Sequence, residues 1–207
     1  MDVPSGRVGP RNPRHKHDFD EMYSSTPPWD IGRPQPAFLA LADTGALQGT
    51  VLDAGCGTGE HALMAAERGL EATGVDLAEA AIATAERKAR ERRLSAEFLV
   101  WDALDLPGLG RRFDTVLDCG LFHVFDDADR ARFLISLREA VNPGARYFML
   151  CFSDRQPGDW GPRRITEAEL RDSFADGWRI DSLEPATIEI TLDPAGARAW
   201  LVAMTRT

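Results

Sequence analysis

Apolar and polar positions along this chain follow two alternating patterns. Short apolar or β-branched runs recur at Thr50–Ala54, Glu71–Asp76, Ala96–Val100, Asp114–Asp118 and Arg146–Phe152, and each predicts a strand. Between them, Glu60–Arg68, Ala78–Arg93 and Asp126–Val141 carry apolar residues at helical spacing. Gly69 stops the first helix, and the second is Ala-rich with Glu86 four residues before Arg90, a favourable order for an ion pair. Strand–helix alternation of this kind predicts an α/β chain with a parallel, doubly wound sheet.

The last third reads differently. Thr166 and Glu169 form a capping-box pattern before a short helix over Glu167–Phe174. Arg179–Leu183 and Thr187–Leu192 alternate as strands do, Asp193-Pro194-Ala195-Gly196 reads as a turn, and Ala199–Met204 as the last strand. Strands joined by so short a turn must be antiparallel.

Ahead of the first strand, residues 1–17 are rich in Pro, Gly, Arg and His and lack large apolar residues, which predicts a flexible tail. His15 and His17 fall in that basic tail, without the partners a metal site needs. Residues 18–207 form the expected single domain. Phe19, Met22 and Tyr23 are spaced as on one helical face, and Ala37–Leu41 starts a short helix ending near Gly45. Between them, Pro27, Pro28, Pro34 and Pro36 exclude regular structure and set Trp29 in a rigid loop.

Composition narrows the function classes. The 207 residues suit one domain, and 43% hydrophobic with 28% charged residues is ordinary for a globular protein. A net charge of −9 argues against a nucleic-acid surface and favours a small-molecule partner. The three cysteines lie far apart without a CxxC pair, which argues for a reducing compartment and against a disulfide framework or structural zinc. No apolar run approaches the ~20 residues of a membrane span, and the start lacks a signal-peptide core. The expectation is a cytoplasmic protein with no metal and no membrane partner, a monomer or weak homodimer.

The chemistry centres on Val51-Leu52-Asp53-Ala54-Gly55-Cys56-Gly57-Thr58-Gly59-Glu60, a strand that runs into a glycine-rich turn and a helix start. Glycine lets a ligand approach the backbone closely. The dinucleotide fingerprint places a third glycine at the sixth position, where this chain has Glu60. A carboxylate there crowds the helix start and opposes a pyrophosphate, so the turn suits a nucleoside cofactor without phosphate. The rivals are an NAD(P)-dependent oxidoreductase and a non-catalytic cofactor-binding protein.

Ligands of open α/β sheets bind at strand carboxyl ends. The second strand ends at Asp76-Leu77, where the acid can accept from ribose hydroxyls or cap the next helix. The third ends at Trp101-Asp102-Ala103, where Asp102 can accept from an adenine amine and the following N–H can meet a ring nitrogen. The fourth ends in Asp118-Cys119-Gly120-Leu121-Phe122-His123-Val124-Phe125.

Asp-x-Gly-x-Gly-x-Gly resembles the first motif of class I S-adenosylmethionine (SAM) methyltransferases. Over Val51–Phe152, Asp76, Asp102, the fourth-strand segment and Asn142-Pro143-Gly144 follow in matching order, with Ala145 in place of the family's second glycine. The resemblance implies a Rossmann-like, seven-stranded doubly wound sheet, parallel with an antiparallel C-terminal hairpin strand. It implies SAM held by Asp53, Gly55, Cys56, Gly57, Asp76, Leu77, Asp102, Ala103 and the Cys119 carbonyl.

Pro28-Trp29-Asp30-Ile31-Gly32-Arg33 further resembles a segment of small-molecule thiol, halide and thiopurine methyltransferases. With Pro34-Gln35-Pro36 and Gly120–Phe125 it is similar to actinobacterial hydroxyquinolone O-methyltransferases. This implies that an N-terminal lid over 18–48 closes on SAM, with Trp29 walling the cofactor and Tyr23 closing the substrate side.

His123 is the candidate base, with a satisfied histidine hydrogen-bonded to backbone as the alternative. His61 falls on the first helix. Phe122, Phe125 and Trp160 are candidate walls for a flat acceptor, and Arg155, Arg163 or Arg164 for its anionic group. The expected reaction is methylation of a ring hydroxyl on a small aromatic or heterocyclic molecule, with a thiol as the alternative acceptor.

Overall fold

A computed structural model describes residues 21–207. The expected tail, with His15 and His17, and Phe19 of the expected helical face lie outside the described residues. A helix α1 (Pro36–Asp43) precedes β1 (Thr50–Ala54), α2 (Glu60–Glu67), β2 (Glu71–Asp76), α3 (Glu79–Arg92), β3 (Ala96–Val100), β4 (Phe113–Cys119), α4 (Asp127–Ala140) and β5 (Val141–Phe152). Helix α5 (Glu167–Ser173) and strands β6 (Trp178–Ile190) and β7 (Asp193–Arg206) complete the chain. Short 3-10 turns follow β3 at Ala103–Leu109 and β4 at Phe122–Val124.

The seven strands lie in the order β3-β2-β1-β4-β5-β7-β6. The first five are parallel, and β7 pairs antiparallel with both β5 and β6. Alternate residues of β5 feed two cores. Phe148, Leu150 and Phe152 join α1, α2 and α3 on one face, while Tyr147, Met149 and Cys151 join α4 and α5 on the other. Both faces of a parallel sheet are thereby covered, which is why its strands read as nearly continuous apolar runs.

Several boundaries differ from the sequence reading. β5 starts at Val141, so Asn142-Pro143-Gly144 lies inside it at a register shift against β4 and not ahead of it. Arg179–Leu183 and Thr187–Leu192 belong to one strand that passes through Pro185. β6 is the sheet edge, so a missing N–H is tolerated there. The hairpin turn falls at Thr191-Leu192, with Ile190 paired to Asp193, and the Asp193–Gly196 stretch lies inside β7 as an irregular strand start. The predicted capping box is formed: Thr166 accepts from the Glu169 N–H and the Glu169 carboxylate accepts from the Thr166 N–H.

β1 pairs with β2 on one side and β4 on the other. The order of the strands reverses there, so the carboxyl ends of β1 and β4 open a crevice between their diverging connections.

Candidate active site

The connection after β1 is built on positive φ. Gly55, Gly57 and Gly59 take φ +68°, +51° and +84°, a region that penalises any side chain. A Cβ at Gly59 would lie 2.6 Å from the Phe98 ring and 2.7 Å from Ala85, so this glycine lets α2 pack onto α3 and β3. It fills the packing role that the dinucleotide fingerprint assigns to its last glycine.

Glu60 requires a correction. Its carboxylate is 7% exposed and turned away from the turn, 2.8 Å from both Lys88 Nζ and Arg92 Nη2 on α3. Burial raises its pKa, but the hydrogen bonds from Arg92 and Lys88 outweigh that and leave it below the usual value. The charge is therefore compensated and does not by itself repel a diphosphate.

Three acids converge on the turn. Asp76 Oδ2 accepts from Gly57 N at 2.8 Å and Oδ1 from Ala78 N at 2.9 Å, so the β2 acid ties the glycine turn to the start of α3. The helix cap itself is Ala78. Asp53 is 1% exposed, and its Oδ2 accepts from Ala62 N at 3.1 Å while Oδ1 is buried without a hydrogen bond, with His61 Nδ1 3.9 Å away. Burial pushes its carboxyl up to about 8, against the Ala62 hydrogen bond. Asp118, fully buried, accepts from Leu121 N and Tyr147 Oη at 2.8 and 2.7 Å and from Phe122 N, and so fixes the connection after β4. The sequence reading named Asp118 at the strand end but gave it no role, and it missed Tyr147; the signal for Asp118 was an acid next to the strand's apolar end.

Asp102 is exposed and accepts from Leu104 N at 2.9 Å, with buried Ala103 behind it. Leu77 is half-buried beside Asp76, and buried Cys56 sits within the turn. Half-buried Cys119 ends β4, and the following Leu121 packs against the turn, its Cβ 3.0 Å from where a Gly55 Cβ would lie.

The proline-rich segment crosses the turn as a strap. Asp30 Oδ2 accepts from Thr58 Oγ1 at 2.9 Å, and Thr58 Oγ1 accepts from Lys88 Nζ at 2.7 Å. His61 Nε2 accepts the Gln35 N–H at 3.2 Å. The Gln35 side chain pairs with the Glu189 backbone at 2.8 and 3.0 Å, Thr191 N donates to Pro28 O, and Arg33 pairs with Glu189. Trp29 Nε1 donates to Tyr23 Oη at 3.1 Å, and that hydroxyl lies 2.6 Å from where a Gly57 Cβ would be. Burial, then the Asp76 charge, push the Tyr23 phenol upward. The structure therefore brings Tyr23 to the glycine turn, alongside Trp29.

The connection after β4 departs most from expectation. Phe122 is fully buried against Phe174 with the Arg130 guanidinium over its ring, and Phe125 packs on Phe133. Phe122 is core and faces no acceptor. His123 Nδ1 accepts the Phe152 N–H at 3.0 Å, which leaves the proton of the neutral ring on Nε2. Burial, Arg130 and Arg164 lower its pKa to about 3. A ring nitrogen committed to a backbone N–H and a second that carries the proton do not make a base.

Trp160 is 40% exposed and meets Phe152 edge-to-face, as His123 also does. The loop arginines are engaged internally. Arg163 pairs with Asp127 and Glu169, Arg164 donates to Pro162 O and Gly158 O, and Arg155 lies over Trp200.

A methyltransferase domain model matches residues 51–144. The 2-heptyl-1-hydroxyquinolin-4(1H)-one methyltransferase of Mycobacteroides abscessus is 38% identical over 177 residues, 84% of this chain and 78% of that protein. The chain belongs to the S-adenosylmethionine-dependent methyltransferases. A probable thiol methyltransferase of Arabidopsis thaliana is 25% identical over 150 residues, 69% of this methyltransferase and 64% of that one. A solved structure reported for the conversion of a disulfide bond into a thioacetal group during echinomycin biosynthesis superposes with TM-score 0.85 at 40% identity, covering 93% of both chains. A magnesium protoporphyrin IX methyltransferase from Synechocystis with bound SAM shares the fold at TM-score 0.65 and 21% identity.

The residues present fit that cofactor. The methyltransferase offers a glycine turn against which Tyr23 and Leu121 pack, a buried carboxylate oxygen on Asp53 without a hydrogen bond, and Asp76 at the next strand end. An unpaired buried acceptor calls for a donor or a cation from a ligand, and the ammonium-bearing methionine half of SAM supplies both. SAM brings an activated methyl group. The protein has to hold it, orient an acceptor and exclude water.

Proposed function

We propose that this methyltransferase transfers the SAM methyl group to a small planar molecule, at a hydroxyl on an aromatic or heterocyclic ring. The observation that carries this reading is the relative whose name specifies a hydroxyquinolone acceptor, similar along 84% of the chain. Trp160, exposed and edge-to-face on buried Phe152 at the end of β5, supports it, since it offers a flat apolar face.

In this reading Asp53, Gly55, Cys56, Gly57 and the Cys119 carbonyl hold the methionine half of SAM. Asp76 and Leu77 hold the ribose, Asp102 and Ala103 the adenine. Trp29 and Tyr23 close the strap over it. Trp160 and Phe125 border the acceptor. Alignment of the two reactants in a closed site is worth roughly 7–11 kcal/mol of barrier, which is most of what the chain has to contribute.

S-methylation is the second reading. It is favoured by the Arabidopsis relative named for thiols and by the disulfide-to-thioacetal chemistry associated with the solved structure at 40% identity. Incubation with SAM and a panel of phenols, hydroxyquinolones and thiols, read by mass spectrometry, separates the two. A mass gain of one CH2 on ring hydroxyls supports the first reading. A gain confined to thiols replaces it, and no gain on any acceptor with SAM bound removes both.

A further inference from the structure

Resting on the methyl-transfer reading above, we propose that the acceptor binds and reacts as its anion, an acidic hydroxyl or thiol, and that His123 is a hydrogen-bond donor to it. The Phe152 N–H occupies Nδ1, so the ring is fixed as the tautomer with its proton on Nε2. Nε2 lies 3.1 Å from where a Cβ on Gly120 would be, and Gly120 is at φ +89°. The next residue, Leu121, leans on Gly55 of the cofactor turn. The donor end of the imidazole is therefore one residue from the turn, on the strand end where the acceptor must meet the methyl group.

The charges around it have one sign. Arg130 reaches His123 from α4 and Arg164 from the loop after β5, and both oppose a positive charge on the ring. Arg130 is paired with Glu169. Arg164 is not neutralised in that way: among the described residues it donates to the carbonyl oxygens of Pro162 and Gly158. Asp118 on β4 is turned inward, its oxygens taken by Leu121 N, Phe122 N and Tyr147 Oη. Two further titratable groups near the turn are no better as bases. The Tyr23 hydroxyl is occupied by Trp29, and Asp53 is buried beneath the turn. A fixed N–H donor and an unneutralised guanidinium, with His123, Tyr23, Asp53 and Asp118 all unsuited as a base, stabilise an anion and do not make one.

The step balances without a proton transfer. The anionic oxygen or sulfur of the acceptor forms its bond to the methyl carbon as the carbon–sulfur bond of SAM breaks. That electron pair stays on the sulfur, and one negative and one positive charge give two neutral products. The acceptor's proton has already gone to solvent.

Two measurements on the wild-type protein test this, and neither depends on a variant folding. The first is the absorption of a nitrophenol bound in the presence of S-adenosylhomocysteine, at a pH where most of the free phenol is neutral. The anion's longer-wavelength band in the bound spectrum is the expected result; a neutral bound spectrum, or no binding of a nitrophenol that the enzyme methylates, overturns the proposal. The second is kcat/KM against pH for methylated acceptors of different acidity. The midpoint should follow the acceptor's own pKa, and one common midpoint for all acceptors overturns it.

Variants then locate the donor. His123→Gln keeps an N–H near the Nε2 position and should retain kcat/KM within about fivefold, while His123→Leu should lose about 10- to 100-fold, the scale of one hydrogen bond to a charged group. Arg164→Gln should raise the apparent pKa of bound nitrophenol. Equal losses in Gln and Leu variants with matched melting temperatures overturn the assignment of His123. Methylation of any acceptor by the wild type upholds the underlying reading, whatever these profiles show.

Discussion

Gly59 carries the heaviest steric demand in the cofactor turn. It combines φ +84° with a Cβ position 2.6 Å from Phe98 and 2.7 Å from Ala85. Gly59→Ala should cost about 2–4 kcal/mol, from backbone strain and overpacking together; urea denaturation checks this, and a loss below measurement error would show that Phe98 yields. Asp76→Ala removes the acceptor for Gly57 N and Ala78 N. It should weaken SAM binding by about 1.5–3 kcal/mol, the scale of a hydrogen bond to an ionised group, as read by calorimetry. Asp53 makes a pH prediction. Its folded-state pKa, raised to about 8 by burial, lies above that of an unfolded carboxyl, so its stabilising contribution is complete at low pH and declines as pH rises toward 8. The lowered pKa values of His61, about 4, and His123, about 3, act below the ordinary histidine value of 6.5, and Asp118 is raised only to about 6. Between 6.5 and 8 Asp53 is thus the acting group among these four, and ligand-free protein should lose stability there at up to about 1.4 kcal/mol per pH unit. Asp53→Asn should flatten the slope, and a slope that survives it belongs to another group. The acids at the ends of β1, β2 and β3 were legible in sequence because a strand end fixes where its side chain sits. The roles of Phe122 and His123 were not, because the 3-10 turn over Phe122–Val124 decides which ring goes into the core and which nitrogen meets Phe152 N.

At the level of elements, the strap is the part whose role a pattern alone conveyed least. Four prolines excluded regular structure, but not what the segment would touch. The structure ties it to the turn through Asp30 and Thr58, to α2 through Gln35 and His61, and to the β6–β7 hairpin through Glu189 and Thr191. Trp29, at 41% exposed, contributes little to the core while its indole N–H steadies Tyr23 over Gly57. Trp29→Ala should therefore lower the melting temperature by no more than about 2–4 °C, the equivalent of about 1 kcal/mol for a chain of this size. It should speed SAM dissociation about 5- to 20-fold, equivalent to roughly 1–2 kcal/mol. Stopped-flow displacement beside a thermal melt distinguishes this from a core role, in which melting falls and dissociation does not change. Regular elements were easier to read. Residues Thr50–Ala54, Glu71–Asp76 and Ala96–Val100 fall where the apolar runs place them, because parallel strands buried on both faces leave little choice. The edge strand β6 misled because Pro185 looks like a break, and on an edge it is not one.

For the whole molecule, the strand order makes a site out of separate sequence signals. Placing β4 beside β1 brings the Cys119–Phe125 connection against the glycine turn, and placing β2 on the other side brings Asp76 under Gly57. Alternation of strands and helices predicts a doubly wound sheet but not the strand order, since nothing local encodes which strands become neighbours. The same arrangement decides between nucleoside cofactors. With Glu60 neutralised by Lys88 and Arg92, discrimination against a diphosphate falls to the strap, whose Asp30 carboxylate rests on Thr58 at the start of α2. Gly57, Thr58 and Gly59 are all buried, and the Gly57 and Gly59 N–H groups already donate to Asp76 and to Cys56 O, so neither is open to a phosphate. A ligand that binds only the folded state at 100 times its dissociation constant adds about 2.7 kcal/mol, which for a chain of this size is roughly 5–10 °C in melting temperature. S-adenosylhomocysteine should produce that shift and NAD or NADP at the same concentration should not. Asp30→Ala should reduce the shift from S-adenosylhomocysteine without creating one for NAD, because the strap still covers the turn through Gln35 and Pro28. A shift with NAD in that variant would make the Asp30 carboxylate alone the barrier to a diphosphate, and the buried backbone irrelevant to it.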